Sequence, residues 1–350
     1  MPGLYDRIAD LPLRIERYQL DPFGVSVGAG WERLTTVIHL YGDGQDGVGE
    51  DVTYGADDQR ALRGAGATLP LPGRHTLAGF SELLDGIDLW PEPASAPAYV
   101  GYRRWAYESA ALDLALRQNG LSLAGALGLD PAPVRFCASM GLGDPASAEP
   151  VRDWQAVQPG LHFKLDATPS WDAALIGELA ATGVVDVVDL KGFYENTPVD
   201  NPADPDLYRR VAEGFPDALL EDARLTDGTR PVLEAHAGRL SWDAPIHSVG
   251  DITGLELSPL HMNIKPSRFG PLRELFAAYG HCAAEGIAMY GGGQFELGPG
   301  RGQIQYMASL FHPAGANDVA PVAFNLGVAA GLPESPLPVA IEPVGFRWQA

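Results

Sequence analysis

The chain has 350 residues, 45 of them acidic and 24 basic, for a formal net charge of −21. Hydrophobic residues make up 46%, too many for a disordered chain and enough for a large core in one domain or two. So acidic a balance argues against nucleic acid and against an anionic membrane surface as partners, but it leaves a cation open.

The N-terminal residues 1–20 contain no apolar core of signal-peptide length, and no stretch reaches the ~18 apolar residues of a membrane span. Cys137 and Cys282 cannot build a disulfide framework, so a reduced, cytoplasmic setting is expected. Residues 12–20 alternate apolar and polar as a half-buried strand does, 33–41 form a second strand rich in β-branched residues, and 47–54 a third after the Gly42-Asp43-Gly44 turn. That is an antiparallel meander. Residues 103–119 follow as a helix ending at Asn119-Gly120.

From about residue 134 the rhythm changes. Strand-like runs at 134–139, 161–166, 184–190, 218–222, 239–243, 261–265, 286–290 and 321–326 alternate with amphipathic stretches such as 171–183, 204–215 and 271–286. This alternation predicts parallel strands with helical crossovers, and eight runs are enough to close a barrel. An open doubly wound sheet is the alternative, but no glycine-rich fingerprint follows the first strand. Gly291–Gly293 do follow a strand, without the Lys-Ser/Thr of a phosphate loop.

The strand ends carry the chemistry. In chain order they hold Lys164 and Asp166, Asp189 and Lys191, Glu221 and Asp222, Asp243, and Lys265. A charge at the end of an apolar run is costly unless it is paired or metal-bound. Asp189, Glu221 and Asp243 end three successive strands, so their hard oxygens can converge, and three convergent carboxylates without thiolate or imidazole suit Mg²⁺. Lys164 and Lys265 flank them and are candidates for general bases. A structural role stays open for each lysine: Lys164 pairing with Asp189, and Lys265 with Asp243. His247 and His261 lie near strand ends and read as loop or core residues.

These motifs, in this order, resemble the enolase superfamily, and within it the muconate-lactonizing-enzyme and o-succinylbenzoate-synthase branch. Residues 47–54 resemble its capping-domain strand, 107–128 the helix leading into the barrel, and 163–166 the second-strand lysine motif. Residues 189–192, 219–222 and 242–245 resemble three metal-ligand motifs, 263–270 the sixth-strand lysine motif, and 291–301 the glycine-rich segment with its Glu. The resemblance implies an N-terminal α+β capping domain over residues 1–130, a (β/α)7β TIM-like barrel over 131–330, and a tail over 331–350 that returns to the cap. It implies Mg²⁺ on Asp189, Glu221 and Asp243, catalysis by Lys164 and Lys265, and Asp166, Lys191 and Glu296 at the substrate. Cap loops at about 24–30 and 51–56 would close over it. The implied reaction removes the α-proton of a small-molecule carboxylate to give a metal-stabilised enediolate. The family's habit of forming homo-oligomers extends to the expectations here.

Two departures matter. The family expects two lysines separated by one residue on the second strand, whereas Phe163-Lys164-Leu165-Asp166 puts an acid at the second position; shifting the register to His162-Phe163-Lys164 would make Lys164 the base. Ala244 stands where an acid often follows the third ligand. A single lysine base favours a lyase, such as a dehydratase of the o-succinylbenzoate-synthase kind. A racemase, epimerase or cycloisomerase is the alternative, and a non-catalytic metal-binding descendant is the reading of another class.

Overall fold

The computed structural model describes residues 3–27, 31–194, 197 and 199–349. An antiparallel sheet of β2 (Arg17–Val27), β3 (Trp31–Gly42) and β4 (Gln45–Asp51) forms the predicted meander, and β1 (Pro12–Ile15) pairs with β5 (Gly73–Thr76). Around them lie α1 (Ala56–Ala65), α2 (Leu77–Asp85) and α3 (Tyr99–Gln118). From the cap loop expected at 24–30, residues 28–30 lie outside the described residues.

Helix α3 is buried on every side from Tyr102 to Leu116, because it is sandwiched between the cap sheet and the barrel. Its charges are therefore paired internally: Arg103 with Asp51 at 2.9 Å, Arg104 with Glu108 at 2.6 Å, and Asp113 with Arg117 at 3.1 Å and Arg347 at 2.7 Å. Strand β4 lies against it so closely that a Cβ on Gly49 would collide with the Ala106 carbonyl, which explains the small residues of the Gly47-Val48-Gly49 stretch. The C-terminal segment returns to this helix, where Phe346 is buried edge-on against Trp105.

After α4 (Leu123–Leu127), a parallel sheet runs in sequential order. Its strands are β6 (Ala138–Gly141), β7 (Phe163–Asp166), β8 (Val185–Asp189), β9 (Leu219–Glu221), β10 (Leu240–Trp242), β11 (His261–Ile264) and β12 (Ala288–Gly291). The crossovers include α5 (Glu149–Val157), α6 (Ala173–Ala180), α7 (Pro205–Gly214), α8 (Arg230–Ala235), α9 (Val249–Thr253), α10 (Pro266–Phe269), α11 (Leu272–Glu285) and α12 (Pro299–Phe311). Sequential order with helical crossovers is the arrangement of a (β/α) barrel.

The eighth run departs from expectation. Residues 321–326 do not form a strand; Val322–Asn325 make a 3₁₀ turn after Pro321. The two edges of the sheet are joined instead by Asn317, bridged to Phe136, and Asp318, bridged to Gly292. The buried Asn317 side chain completes this closure by accepting the Gly291 N–H at 2.7 Å and donating to the Arg135 carbonyl at 2.9 Å.

Cap and barrel are clamped at residues 294–300. The buried Arg33 guanidinium donates to the Val52 and Thr53 carbonyls of the cap, at 2.8 and 2.9 Å, and to the Gln294 and Phe295 carbonyls of the barrel, at 2.6 and 3.1 Å. Glu50 grips the other side, accepting the N–H groups of Leu297, Gly298 and Gly300 at 2.7–3.0 Å. A carboxylate there also complements the N-terminal dipole of α12. Arg33→Met would strand several buried carbonyls and is expected to cost roughly 3 kcal/mol of unfolding free energy. A loss within error of zero in urea denaturation would show that this clamp does not hold the cap.

Candidate active site

Because the barrel strands are parallel, their C-terminal ends meet at one mouth. The pairing register puts Asp166 level with Asp189, and Asp189 level with Glu221. Asp243 and Lys265 are each the first residue past their strands, β10 and β11. Lys164 points the same way as Asp166 but one pleat deeper. So the eight charged residues at the predicted strand ends all reach this end of the barrel, but their surroundings differ.

Above the mouth lies a cavity of about 1130 Å³, bordered below by Lys164, Asp166, Lys191, Lys265 and Asp318, and on the cap side by Trp31 and Tyr54. Tyr54 belongs to the 51–56 segment expected to close over a substrate. Trp31 lies 6.4 Å from Tyr54 and 5.9 Å from Phe295, ring to ring, so the upper wall is aromatic.

Lys164 is buried between two acids: it bonds Glu221 closely and reaches Asp189 at 3.3 Å. Burial acts to lower its pKa, but Glu221, Asp189 and Asp243 outweigh it and hold the ammonium form well above the ordinary lysine range. With these partners it is a fixed positive charge. Lys191 bridges Asp189 at 2.6 Å and Asp166 at 3.1 Å; burial pulls it down, the two acids raise it further, and it too stays charged. Lys265 has a single carboxylate partner, Asp243, at 2.8 Å.

The acids respond in opposite directions. Burial raises Glu221 and Lys164 lowers it, but the neighbouring charges of Asp189 and Asp243 bring it up to about 6. Burial also works to raise Asp243, yet Arg268 and Lys265 hold it far below the usual carboxylate range. Glu221 further accepts the Asn263 amide at 3.2 Å and the Tyr290 hydroxyl.

Among the described residues, the carboxylates that could hold one ion together are Asp189, Glu221 and Asp222, whose oxygens lie within 4.8 Å of one another. The sequence-derived trio had Asp243 in place of Asp222. In the structure Asp243 is taken up by Lys265 and by a two-pronged contact from Arg268, at 2.6 and 3.3 Å. Asp222 meanwhile accepts the Asp243 and Ala244 N–H groups at 2.8 and 3.0 Å. Around the mouth, the carboxyl groups of Asp166, Asp189, Glu221, Asp222, Asp243 and Asp318 outnumber the cations Lys164, Lys191, Lys265 and Arg268 by two, and burial with the neighbouring acids raises Asp222 well above the usual carboxylate range, as burial raises Asp318. A buried all-oxygen set with that surplus fits a divalent hard cation such as Mg²⁺.

Glu296 does not meet the cavity as expected. It packs beside Gly293, where its Oε1 accepts the Gln294 N–H at 2.7 Å and its Oε2 pairs with Arg301 at 3.3 Å. The residues that border the cavity here are Gln294 and Arg301. Gly292 leaves room for Lys265, whose Cε would stand 2.6 Å from a Cβ at that position; this is a packing reason for the glycine run. Asp318, Arg268, Arg301 and Gln294 escaped the sequence reading. Arg268 had a legible signal, since it lies three residues after Lys265 on the same short turn.

Comparison with known proteins agrees with the architecture. Residues 6–126 match the family model described as the N-terminal domain of a domain of unknown function (DUF8230), and 130–326 match its C-terminal domain. The N-succinylamino acid racemase of Thermus thermophilus is 24% identical over 87% of this chain and 81% of its own length. A match of 39% identity to mycothiol acetyltransferase of Clavibacter michiganensis subsp. michiganensis takes in 74 residues, 21% of this chain and 24% of that protein. Among solved structures, a mandelate racemase/muconate lactonizing protein from Herpetosiphon aurantiacus superposes with a TM-score of 0.69 at 17% identity, covering 97% of this chain and 98% of its own. The dipeptide epimerase from Methylococcus capsulatus, complexed with Mg ion, gives a TM-score of 0.64 at 18% identity, covering 87% and 89%. No helix among the described residues is long and apolar enough to cross a membrane.

Proposed function

The chain belongs to the DUF8230 family and has the fold of the enolase superfamily, and on that premise we propose that it is an Mg²⁺-dependent enzyme that removes the α-proton of a small-molecule carboxylate. The observation that carries this reading is the mouth itself, where Lys265 borders a substrate-sized cavity directly beside a buried carboxylate cluster. Asp189 and Glu221 would hold the ion, with Asp222 and Asp243 as the neighbouring oxygen donors. Bound there, it would supply the positive charge that acidifies the α-carbon of a carboxylate substrate. Lys164 and Lys191 brace the two acids and hold them in place. Lys265 takes the α-proton. In a lyase the electron pair then forms a carbon–carbon double bond, and the β-hydroxyl leaves as water with the proton that Lys265 returns.

We favour this one-base lyase because the second barrel strand carries one lysine, Lys164, with Asp166 standing where a second lysine would. An observation also supports 1,1-proton transfer: β7 and β11 are separated by three strands, so Asp166 and Lys265 border the cavity from opposite walls, where a second acid or base belongs. The test is exchange of the α-proton for deuterium in D₂O, followed by NMR across a set of carboxylic acids. Exchange that requires Mg²⁺ and stops with EDTA is expected. No exchange with any acid, together with no measurable Mg²⁺ affinity, would leave the non-catalytic descendant as the answer.

A further inference from the structure

One side chain at the mouth stands between a proposed metal ligand and a carboxylate that is not one. Lys191 Nζ donates to Asp189 Oδ2 at 2.6 Å and lies 3.1 Å from Asp166 Oδ1. The first contact is a hydrogen bond. The second is an ion pair only, and the buried Asp166 Oδ1 has no hydrogen-bond donor among the described residues. A buried acceptor is rarely left unmet, and here the donor that would meet it is already within reach. The backbone fixes the lysine over Asp189. Lys191 has a φ of 52°, a left-handed conformation that a residue with a Cβ adopts at a cost, and its N–H donates to Asp189 Oδ1 at 3.0 Å. Both oxygens of Asp189 are therefore held by one residue. Lys164 differs, because its carboxylate partners, Glu221 and Asp189, are both proposed ligands.

We propose that Lys191 is a tethered counter-ion that competes with Mg²⁺ for Asp189 and passes to Asp166 when the ion binds. This competition rests on the reading of the mouth as an Mg²⁺ site. An ammonium in contact with a carboxylate oxygen repels a divalent ion on the same group, and a buried site screens that repulsion little. Passing Nζ to Asp166 Oδ1 relieves it. The lysine stays paired, the unmet oxygen gains its donor, and Asp189 Oδ2 is released to the ion. The affinity for Mg²⁺ is therefore lower than the carboxylates alone would give, and it depends on Asp166, which holds no metal. Lys191 and Asp166 both border the cavity, so loading the ion also rearranges charge on the cavity floor.

Calorimetric titration of Mg²⁺ alone into the full chain, without substrate, tests this. Lys191→Met is expected to bind the ion about tenfold or more tightly than the wild-type chain. A residue that merely braced Asp189 would weaken binding when removed. Lys191→Gln should show the same gain, and it serves where the methionine variant does not fold. Lys191→Arg keeps the charge and should gain nothing. Asp166→Asn should weaken Mg²⁺ binding about tenfold in the wild-type background and hardly at all beside Lys191→Met, because the acceptor matters only while there is a lysine to receive. Simple attraction between Asp166 and the ion would instead give the same loss in both backgrounds, and that result overturns the transfer. Unchanged or weaker binding in both neutral variants, or an equal gain in Lys191→Arg, overturns the competition. If neither the wild-type chain nor any variant binds Mg²⁺, the metal reading of the mouth fails and the competition with it; binding by the wild-type chain without a gain in the neutral variants sinks the competition alone.

Discussion

Lys265→Ala is expected to lower α-proton exchange by roughly 10³-fold, the scale on which a positioned base contributes, while the protein stays folded. Lys265 is the cavity lysine with one carboxylate partner, and removing it does not strand that partner, because Arg268 still grips Asp243 at 2.6 Å through its Nε. Thermal denaturation should therefore change little, and the loss should fall in kcat rather than in KM. Asp166→Asn separates the two reaction types. In a one-base elimination it leaves exchange of a single stereoisomer nearly intact; in a two-base proton transfer it abolishes exchange of one enantiomer and spares the other. Unchanged turnover in Lys265→Ala would remove this residue from the chemistry and with it the proposed direction of attack.

What the sequence disclosed about this site follows from what periodicity encodes. Asp189, Glu221, Asp243 and Lys265 were legible because each terminates an apolar run, and parallel strands with helical crossovers bring such termini together. The choice of partners was not legible. Whether Asp243 faces the acids or the cations depends on Arg268, which sits on the short helix α10 rather than at a strand end, and on Asp222, whose carboxylate accepts the amides just past the next strand. The closing segment was hidden for another reason. Two residues, Asn317 and Asp318, make the bridges, and two residues carry no alternation to detect, whereas the longer apolar run at 321–326 imitates a strand but follows Pro321 into a 3₁₀ turn. Arg301 lies in the first turn of α12 and is brought to the cavity by a helix start, outside the pattern that picked out the strand ends.

Glu221→Gln is expected to weaken Mg²⁺ binding by a hundredfold or more, since it replaces a charged oxygen donor by a neutral one in a site built of carboxylates. The same substitution should also reduce a pH dependence, to which the raised carboxyls of Asp222, Asp318 and Glu50 contribute with the same sign. In the metal-free protein the Glu221 carboxyl is raised to about 6, above its value in an unfolded chain, so the folded form holds a proton that the unfolded form has already released. Glu221 should therefore make the metal-free protein lose stability as pH rises through the window from ordinary glutamate titration up to about 6. Mg²⁺ binds the ionised carboxylate, so its affinity should move the opposite way and weaken as pH drops below that window. Urea denaturation with EDTA and with Mg²⁺, at a series of pH values, reads both slopes. If Glu221→Gln keeps either slope at full size, the titrating group is another of the buried acids. If Mg²⁺ binds Glu221→Gln and the wild-type chain equally, the ion does not sit on Glu221, and the cluster at the barrel mouth is held together by its lysines alone.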